Sequence, residues 1–298
     1  MASLRDIRRK IKSVKSTEQI TKAMKMVAAA RMRRSQTQIL AARPFALKLE
    51  DLVRHLALLE THSDLDAGRE VQIHSFFDRR PAGKDGLVLV TGDKGLCGAF
   101  NSNLLRSTIE WLKARQGQKV WVAAVGRKAR EFLRRVRGYD LEFMLELGGI
   151  FPKITFAHAE LLGKAVADAY VQHNLSQVTV IYNEFKSVAA QRLIQYPLLP
   201  VPAPETDGKA ELPDYGFEPD RQELLAELLP RHLKAQLYRI LLESQAAELA
   251  ARMNAMDAAS KNAKELREHL NLDLNRRRQA MITKELAEVV SGAEALAA

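Results

Sequence analysis

Residues 231–290 read RHLKAQLYRILLESQAAELAARMNAMDAASKNAKELREHLNLDLNRRRQAMITKELAEVV, sixty positions without a glycine or a proline. An unbroken helix over this stretch would be on the order of 90 Å long at the standard rise. One globular core cannot cover that length, so much of it needs a partner along its side. Alternating steps of four and three give Leu242, Ala246, Leu249, Met253, Met256, Ser260, Ala263, Arg267, Leu270 and Leu274. That is the 3.5-residue period of a left-handed coiled coil. Beyond Leu274 the apolar set jumps to Ile282, Leu286 and Val289, a phase change of the kind that locally unwinds a supercoil. The same end is apolar on one side (Met281, Ile282, Leu286, Val289, Val290), which favours a covering partner.

The natural partner is the other end of the chain. From Ser3 to about Leu59 there is no glycine, and Pro44 is the one obvious breaker. The same steps give Ile7, Ile11, Val14, Glu18, Thr21, Lys25, Ala28, Met32, Ser35, Ile39 and Ala42. Glu18, Thr21 and Lys25 interrupt this seam, and neighbouring Ile20 and Met24 are placed to rotate into it. Ala28, Ala29 and Ala30 permit close helix approach. The spacing predicts an antiparallel coiled coil built from residues 1–60 and 221–298.

Between the helices the pattern alternates. Residues 71–77, 86–91, 119–125, 177–185 and 192–199 read as strands, and 101–115, 127–136 and 155–173 as helices. Apolar runs such as LVLV and VWVAAV indicate a mostly parallel, doubly wound sheet. Residues 70–200 are therefore predicted to form a Rossmann-like α/β domain. Residues 200–220 carry Pro202, Pro204, Pro213 and Pro219 and read as a linker into the last helix. The fold class is α/β: a long antiparallel coiled coil plus a central, mostly parallel sheet domain.

Composition narrows the chemistry. No run of eighteen apolar residues occurs, so no membrane-spanning helix is expected. The single cysteine, Cys97, excludes an internal disulfide. The net charge of +10 is uneven. Residues 1–34 hold eleven basic side chains against Asp6 and Glu18. An acidic protein surface, nucleic acid or an anionic membrane would each suit such a stretch. No aromatic residue precedes Phe45, which removes base stacking and puts acidic protein surface first, nucleic acid second.

The turn TGDKGLCGAFN at residues 91–101 places Gly92, Gly95 and Gly98 ahead of a helix. Backbone amides there could face a phosphate. The spacing, however, is GxxGxxG and matches no phosphate-binding fingerprint. A tight strand-to-helix turn with Asn101 or Ser102 as N-cap explains the glycines equally well. Cys97 has no histidine paired with it in sequence, and the seven histidines lack metal-ligand spacing. No catalytic constellation is visible, and no bound cofactor is expected.

Three stretches resemble signatures of one family, the gamma subunit of the F-type ATP synthase: LRDIRRKIKSVKSTEQITKAMKMVAAARMRRSQ at 4–36, TGDKGLCGAFN at 91–101, and ESQAAELAARMNAMDAASKNAKEL with RRRQAMITKELAEVVSGAEAL at 243–296. The resemblance covers essentially the whole chain, in the family's order. It implies a non-catalytic rotor of the central stalk. Its helix pair would carry torque between a proton-driven ring of c subunits and a hexamer of alpha and beta subunits, with the α/β domain meeting the epsilon subunit and the c ring. By motif, Met24 corresponds to the position facing an acidic segment of beta, where a basic substitution disturbs coupling. Arg278 and Gln279 match a pair contacting a beta-subunit loop, and Thr283 and Glu285 match coupling positions. Tyr215 falls in the region expected against epsilon or the c ring. The family's chloroplast members carry an inserted cysteine pair, and a lone Cys97 cannot reproduce that thiol switch. The resemblance implies no nucleic acid and no direct membrane insertion. The signature begins within a few residues of Met1. That favours a bacterial chain, peripheral on the cytoplasmic face of the cell membrane, over a processed organellar one.

Overall fold

The computed structural model describes residues 3–66, 75–77, 80–81, 83–151, 153–201 and 221–297. Helix α1 spans Leu4–Asp66 and helix α5 Arg221–Ala297, with β1 (Asp85–Val90), α2 (Phe100–Lys113), β2 (Lys119–Val125), α3 (Arg127–Leu133), β3 (Asp140–Leu147), α4 (Phe156–Gln172), β4 (Gln177–Phe185) and β5 (Gln191–Leu199) between them. By packing the chain divides into two units, one of residues 1–28 with 252–298 and one of residues 29–251.

In the first unit the two helices run antiparallel. Lys25 Nζ lies 2.6 Å from Asp257 Oδ1, and Arg267 Nε lies 2.9 Å from Glu18 Oε2, so α5 numbers rise as α1 numbers fall. The expected seam is the one that forms. Ile7, Thr21, Ala28, Met256 and Ala263 are buried, and Ile11, Val14, Glu18, Lys25, Met253, Ser260, Arg267, Leu270 and Leu274 are half-buried. Ile20 does not rotate in: it is 56% exposed while Thr21 is buried. The Thr21 hydroxyl donates to the Thr17 carbonyl at 2.9 Å, so a hydroxyl sits in the seam without a stranded donor. From Asn275 to Ala293 every described side chain on α5 is exposed. The phase change beyond Leu274 therefore has no partner helix among the described residues.

In the second unit a five-stranded sheet has the order β3-β2-β1-β4-β5. β1 pairs in parallel with β2 and β4, β2 in parallel with β3, and β4 antiparallel with β5. The faces of the sheet build two cores. Val88, Val90, Val178 and Val180 pack with Leu162 and Val166 of α4, Val53 and Leu56 of α1, and Leu229, Leu233 and Leu237 of α5. Leu87, Leu89, Val122 and Ile181 pack on the other face with Leu104 and Leu112 of α2 and Leu133 of α3. Strands covered on both sides read as continuous apolar runs, which is why LVLV and VWVAAV located β1 and β2.

Two expectations are corrected. Of the strand expected at 71–77, residues 71–74 lie outside the described residues, while Ser75–Phe77 form a turn that buries Phe76 and Phe77. β3 had no counterpart in the sequence reading. Its DLEFMLEL carries Glu142 and Glu146, held at the sheet edge by Lys119 and Arg134, and those charges mask the apolar alternation. α1 runs through Pro44, as a single helix over residues 1–60 requires, at the cost of one lost backbone bond and a local clash.

Candidate functional site

In a doubly wound sheet, ligands bind where the strand order reverses, beyond the carboxyl ends of the strands. Here that point lies between β1 and β4, and the turn at residues 91–101 leaves β1 there. Its carboxylate, Asp93, ties it to the segments that follow β2 and β3. Asp93 accepts from the backbone N–H groups of Arg127 at 2.9 Å, Gly149 at 2.8 Å and Phe151 at 3.0 Å. The Thr91 hydroxyl accepts from Ala129 N–H at 2.7 Å. These amides, from the segments after β2 and β3, are committed to Asp93, and of the turn's own amides Gly92 N–H is taken by the Asn101 side chain. Gly126 has φ +90°, and a Cβ there would stand 2.2 Å from the Thr91 carbonyl oxygen, so only glycine lets β2 turn so close to β1.

The expected N-cap is also corrected. α2 starts at Phe100 with Ala99 as its N-cap and no side-chain cap. Asn101 turns back to brace the loop, accepting from Gly92 N–H at 3.0 Å and donating to the Lys94 carbonyl at 3.2 Å. Cys97 is 1% exposed, with the Asn101 amide against its sulfur, so the thiol is sealed from solvent.

Helix α5 closes the same crevice. Residues 241–250, LLESQAAELA, are all buried, so the helix is enclosed all round. Ile240, Leu241 and Leu242 join one core and Ala247 the other. Four buried polar side chains travel with them: Glu243, Ser244, Gln245 and Glu248. Tyr182 of β4 donates its hydroxyl to Glu243 at 3.3 Å. Glu248 lies over Gly92, where an added Cβ would meet its Cγ at 3.2 Å. Burial raises the Glu243 carboxyl above its usual range, with Arg239 opposing. Burial likewise raises the Tyr182 phenol. Further back on α5, His232 is 6% exposed. It lines a cavity of about 20 Å³, room for about one water, with Glu50, Val53, Arg54, Phe77, Tyr196 and Val201. Burial lowers the His232 imidazole, and its Nδ1 has no hydrogen-bond partner among the described residues.

The residues singled out by motif fall in two places on the first unit. Met24 is half-buried on α1, beside the Lys25–Asp257 pair. Arg278, Gln279, Thr283 and Glu285 are exposed on α5, and Thr283 merely donates back to the Gln279 carbonyl at 3.0 Å. Arg278 lies about twenty residues beyond Asp257, roughly 30 Å along the helix, so the two groups are separate surfaces. Tyr215 lies outside the described residues. Ten of the eleven basic side chains in residues 1–34 are exposed, and Lys25 is half-buried. Among the described residues no group of histidine, cysteine and carboxylate side chains stands together as metal ligands, and no helix is long and apolar enough to cross a membrane.

A long antiparallel helix pair, carried on one chain with a Rossmann-like sheet whose crevice is self-filled, defines a helical-stalk protein. The ATP synthase family model matches residues 3–296. The ATP synthase gamma chain of Desulforamulus reducens is 44% identical over 297 residues, covering 99% of this chain and 100% of the relative. That of Paramagnetospirillum magneticum is 46% identical over 304 residues, covering 99% and 100%. Among solved structures, a chain of the Tetrahymena thermophila mitochondrial ATP synthase central stalk and c-ring aligns with TM-score 0.57 and 26% identity, covering 81% of this chain and 99% of that one. A chain of the Euglena gracilis mitochondrial enzyme aligns with TM-score 0.65 at 18% identity, covering 98% and 94%, which speaks to the fold alone. The chain belongs to the ATP synthase family, and within it to the gamma chains.

Proposed function

We infer that this chain is the central-stalk rotor subunit of an F-type ATP synthase, carrying torque between a proton-driven ring of c subunits and a catalytic hexamer of alpha and beta subunits. The observation that carries this is the full-length identity with gamma chains, joined to an α5 whose residues 275–293 are all exposed. Side chains such as Ile282, Leu286 and Val289 at that end need a sleeve of partner protein. The exposed cations of residues 5–34 suit acidic partner surface, where opposed charge speeds docking and fixes register.

The finer reading is that the subunit performs no chemistry and holds no cofactor. A switch point crossed by the buried residues 241–250 of α5 supports this, as does a buried Cys97. Met24 faces the beta subunit on one level. Arg278, Gln279, Thr283 and Glu285 contact it on another, and Tyr215 belongs to the surface for epsilon or the c ring. The helix pair of residues 1–60 and 221–298 acts as the shaft and residues 70–200 as its foot. The complex sits on the cytoplasmic face of a bacterial membrane, where this chain is peripheral.

The test is co-purification with the alpha–beta hexamer, followed by a covalent crosslink to beta through Met24→Cys. The crosslink is expected to stop steady-state ATP hydrolysis. Full-rate hydrolysis by the crosslinked complex would sink the torque role.

A further inference from the structure

In a nucleotide-binding doubly wound protein the crevice between β1 and β4 takes the ligand; here it takes a helix. Residues 241–250 of α5 pass through it wholly buried. An apolar helix in an apolar groove can roll or slip by one ridge at modest cost, since one packing resembles the next. Two of the four buried polar side chains in this decad, Glu243 and Glu248, remove that freedom. Glu243 is held by the Tyr182 hydroxyl, and Glu248 is seated on Gly92, where an added Cβ would stand 3.2 Å from its Cγ. Rolling α5 would carry both carboxylates off these contacts, and a buried carboxylate that loses its partner is heavily penalised.

We propose that Glu243 and Glu248, seated on Tyr182 and Gly92, form a rotational lock that keys α5 to the sheet, so that torque entering at the sheet passes into the long helix without slip. The inference rests on the central-stalk reading and adds the residues that make the joint. The apolar clusters hold α5 against the sheet; the two carboxylates fix its angle. Asp93 serves the lock from behind. By tying the turns after β1, β2 and β3 through Arg127, Gly149 and Phe151, it keeps Gly92 rigid beneath Glu248.

The test uses the whole membrane-bound enzyme in a Cys97→Ala background carrying Gly92→Cys and Glu248→Cys. A Cβ at position 92 lies 3.2 Å from the γ position of residue 248, close enough for a disulfide. Reduced, the pair lacks the Glu248 carboxylate, and proton-driven synthesis is expected to fall about tenfold, the rate equivalent of one lost buried charged contact. Oxidised, the pair replaces the lock covalently, and synthesis is expected to return to within about twofold of the parent. ATP hydrolysis by the detached hexamer with its stalk sends no torque through the sheet and is expected to stay level in both states. Synthesis at the parental rate when reduced, or no recovery on oxidation, would overturn the proposal. If the cysteine pair fails to assemble, Tyr182→Phe, which keeps the ring and removes the hydroxyl, must lower synthesis relative to hydrolysis, and an unchanged ratio overturns the lock. Co-purification with the hexamer reports on the stalk reading separately, because it does not depend on the redox state of the pair.

Discussion

Lys25 of α1 reaches across the helix pair to Asp257 of α5, Nζ to Oδ1 at 2.6 Å, and Lys261 approaches the other carboxylate oxygen at 3.2 Å. Lysine at a seam position forfeits apolar contact, but it pairs only when the helices are in one register, as polar seam residues do in coiled coils. The Lys25 hydrogen bond, followed by that of Lys261, holds the Asp257 carboxyl below its usual range.

The first prediction is a charge exchange. Lys25→Asp or Asp257→Lys alone places like charges across the seam and lowers the melting temperature of the purified chain. The double exchange recovers most of the loss. Both side chains are more than a third exposed, so salt near 1 M is expected to erase the difference by screening. A double variant no better than the worse single one would show that the pair does not set register.

Met24→Lys adds a cation between Lys22 and Lys25 on a half-buried site of α1. On the central-stalk reading the new ammonium meets an acidic surface of beta and adds an attraction at one angle, too weak to stop rotation. The assembled enzyme is expected to keep most of its ATP hydrolysis while proton-driven synthesis drops several-fold, about the effect of a coupling energy of 1 kcal/mol. Measuring both rates on the same membranes checks this, and a parallel fall in the two would point to an assembly defect instead.

Asp93→Ala leaves three backbone N–H groups around an 8%-exposed site without their acceptor. Stranded buried donors cost about 1–3 kcal/mol each when water cannot reach them. The unfolding free energy of the sheet unit is expected to drop by roughly 2–4 kcal/mol, allowing for partial solvation. Asp93→Asn keeps one carbonyl oxygen and should lose less. Denaturant titration of both variants is the measurement, and equal stability of all three proteins would contradict the cradle.

These residues also show what the sequence makes legible. The seam positions from Ile7 to Ala42 and from Leu242 to Leu274 could be read because each is apolar, small or paired across the seam, so period alone located them. Ile20 misled because apolarity suggests burial, whereas Thr21 can satisfy its own hydroxyl on the helix backbone and keep the period unbroken. β3 was hidden because Glu142 and Glu146 owe their place to Lys119 and Arg134, which belong to other elements of the fold. Asp93 read as one letter in a glycine turn; its three donors come from loops after two other strands. Glu243 and Glu248 lie off the seam positions, and nothing in their spacing marks them as buried; only the sheet crossing makes them so. The motif positions Arg278, Gln279, Thr283 and Glu285 were legible by resemblance alone, since no described part of the chain covers them.

Arg278→Ala and Gln279→Ala follow from that exposure. Neither side chain supports the fold, so the melting temperature of the isolated chain is expected to stay within about 1 °C, as surface changes usually do. On the stalk reading, ATP hydrolysis by the assembled complex falls by severalfold or more, since each residue loses a contact with beta worth about 1–2 kcal/mol. Calorimetry of the chain and turnover of the complex separate the two effects. Loss of stability without loss of turnover would remove these residues from the interface.

His232 gives the pH dependence. Burial lowers its imidazole below the ordinary 6.5 in the folded chain, while Glu50 pulls it upward and Arg239 downward. Arg54 of α1 and Tyr196 of β5 face the same cavity. Because the folded value is depressed, the unfolded chain binds the proton first as pH falls. Stability is therefore complete above about pH 6.5 and is lost progressively as the pH drops towards the folded value. Replacing the ring by His232→Phe removes this titration, so the melting temperature of the variant, followed from pH 8 to pH 5, should fall less steeply than that of the parent. The remaining slope reports the carboxylates and is common to both proteins. If parent and variant decline in parallel across pH 6.5 to 5, His232 takes up its proton without opening the α1–α5 contact, and the burial seen here is not what holds it neutral.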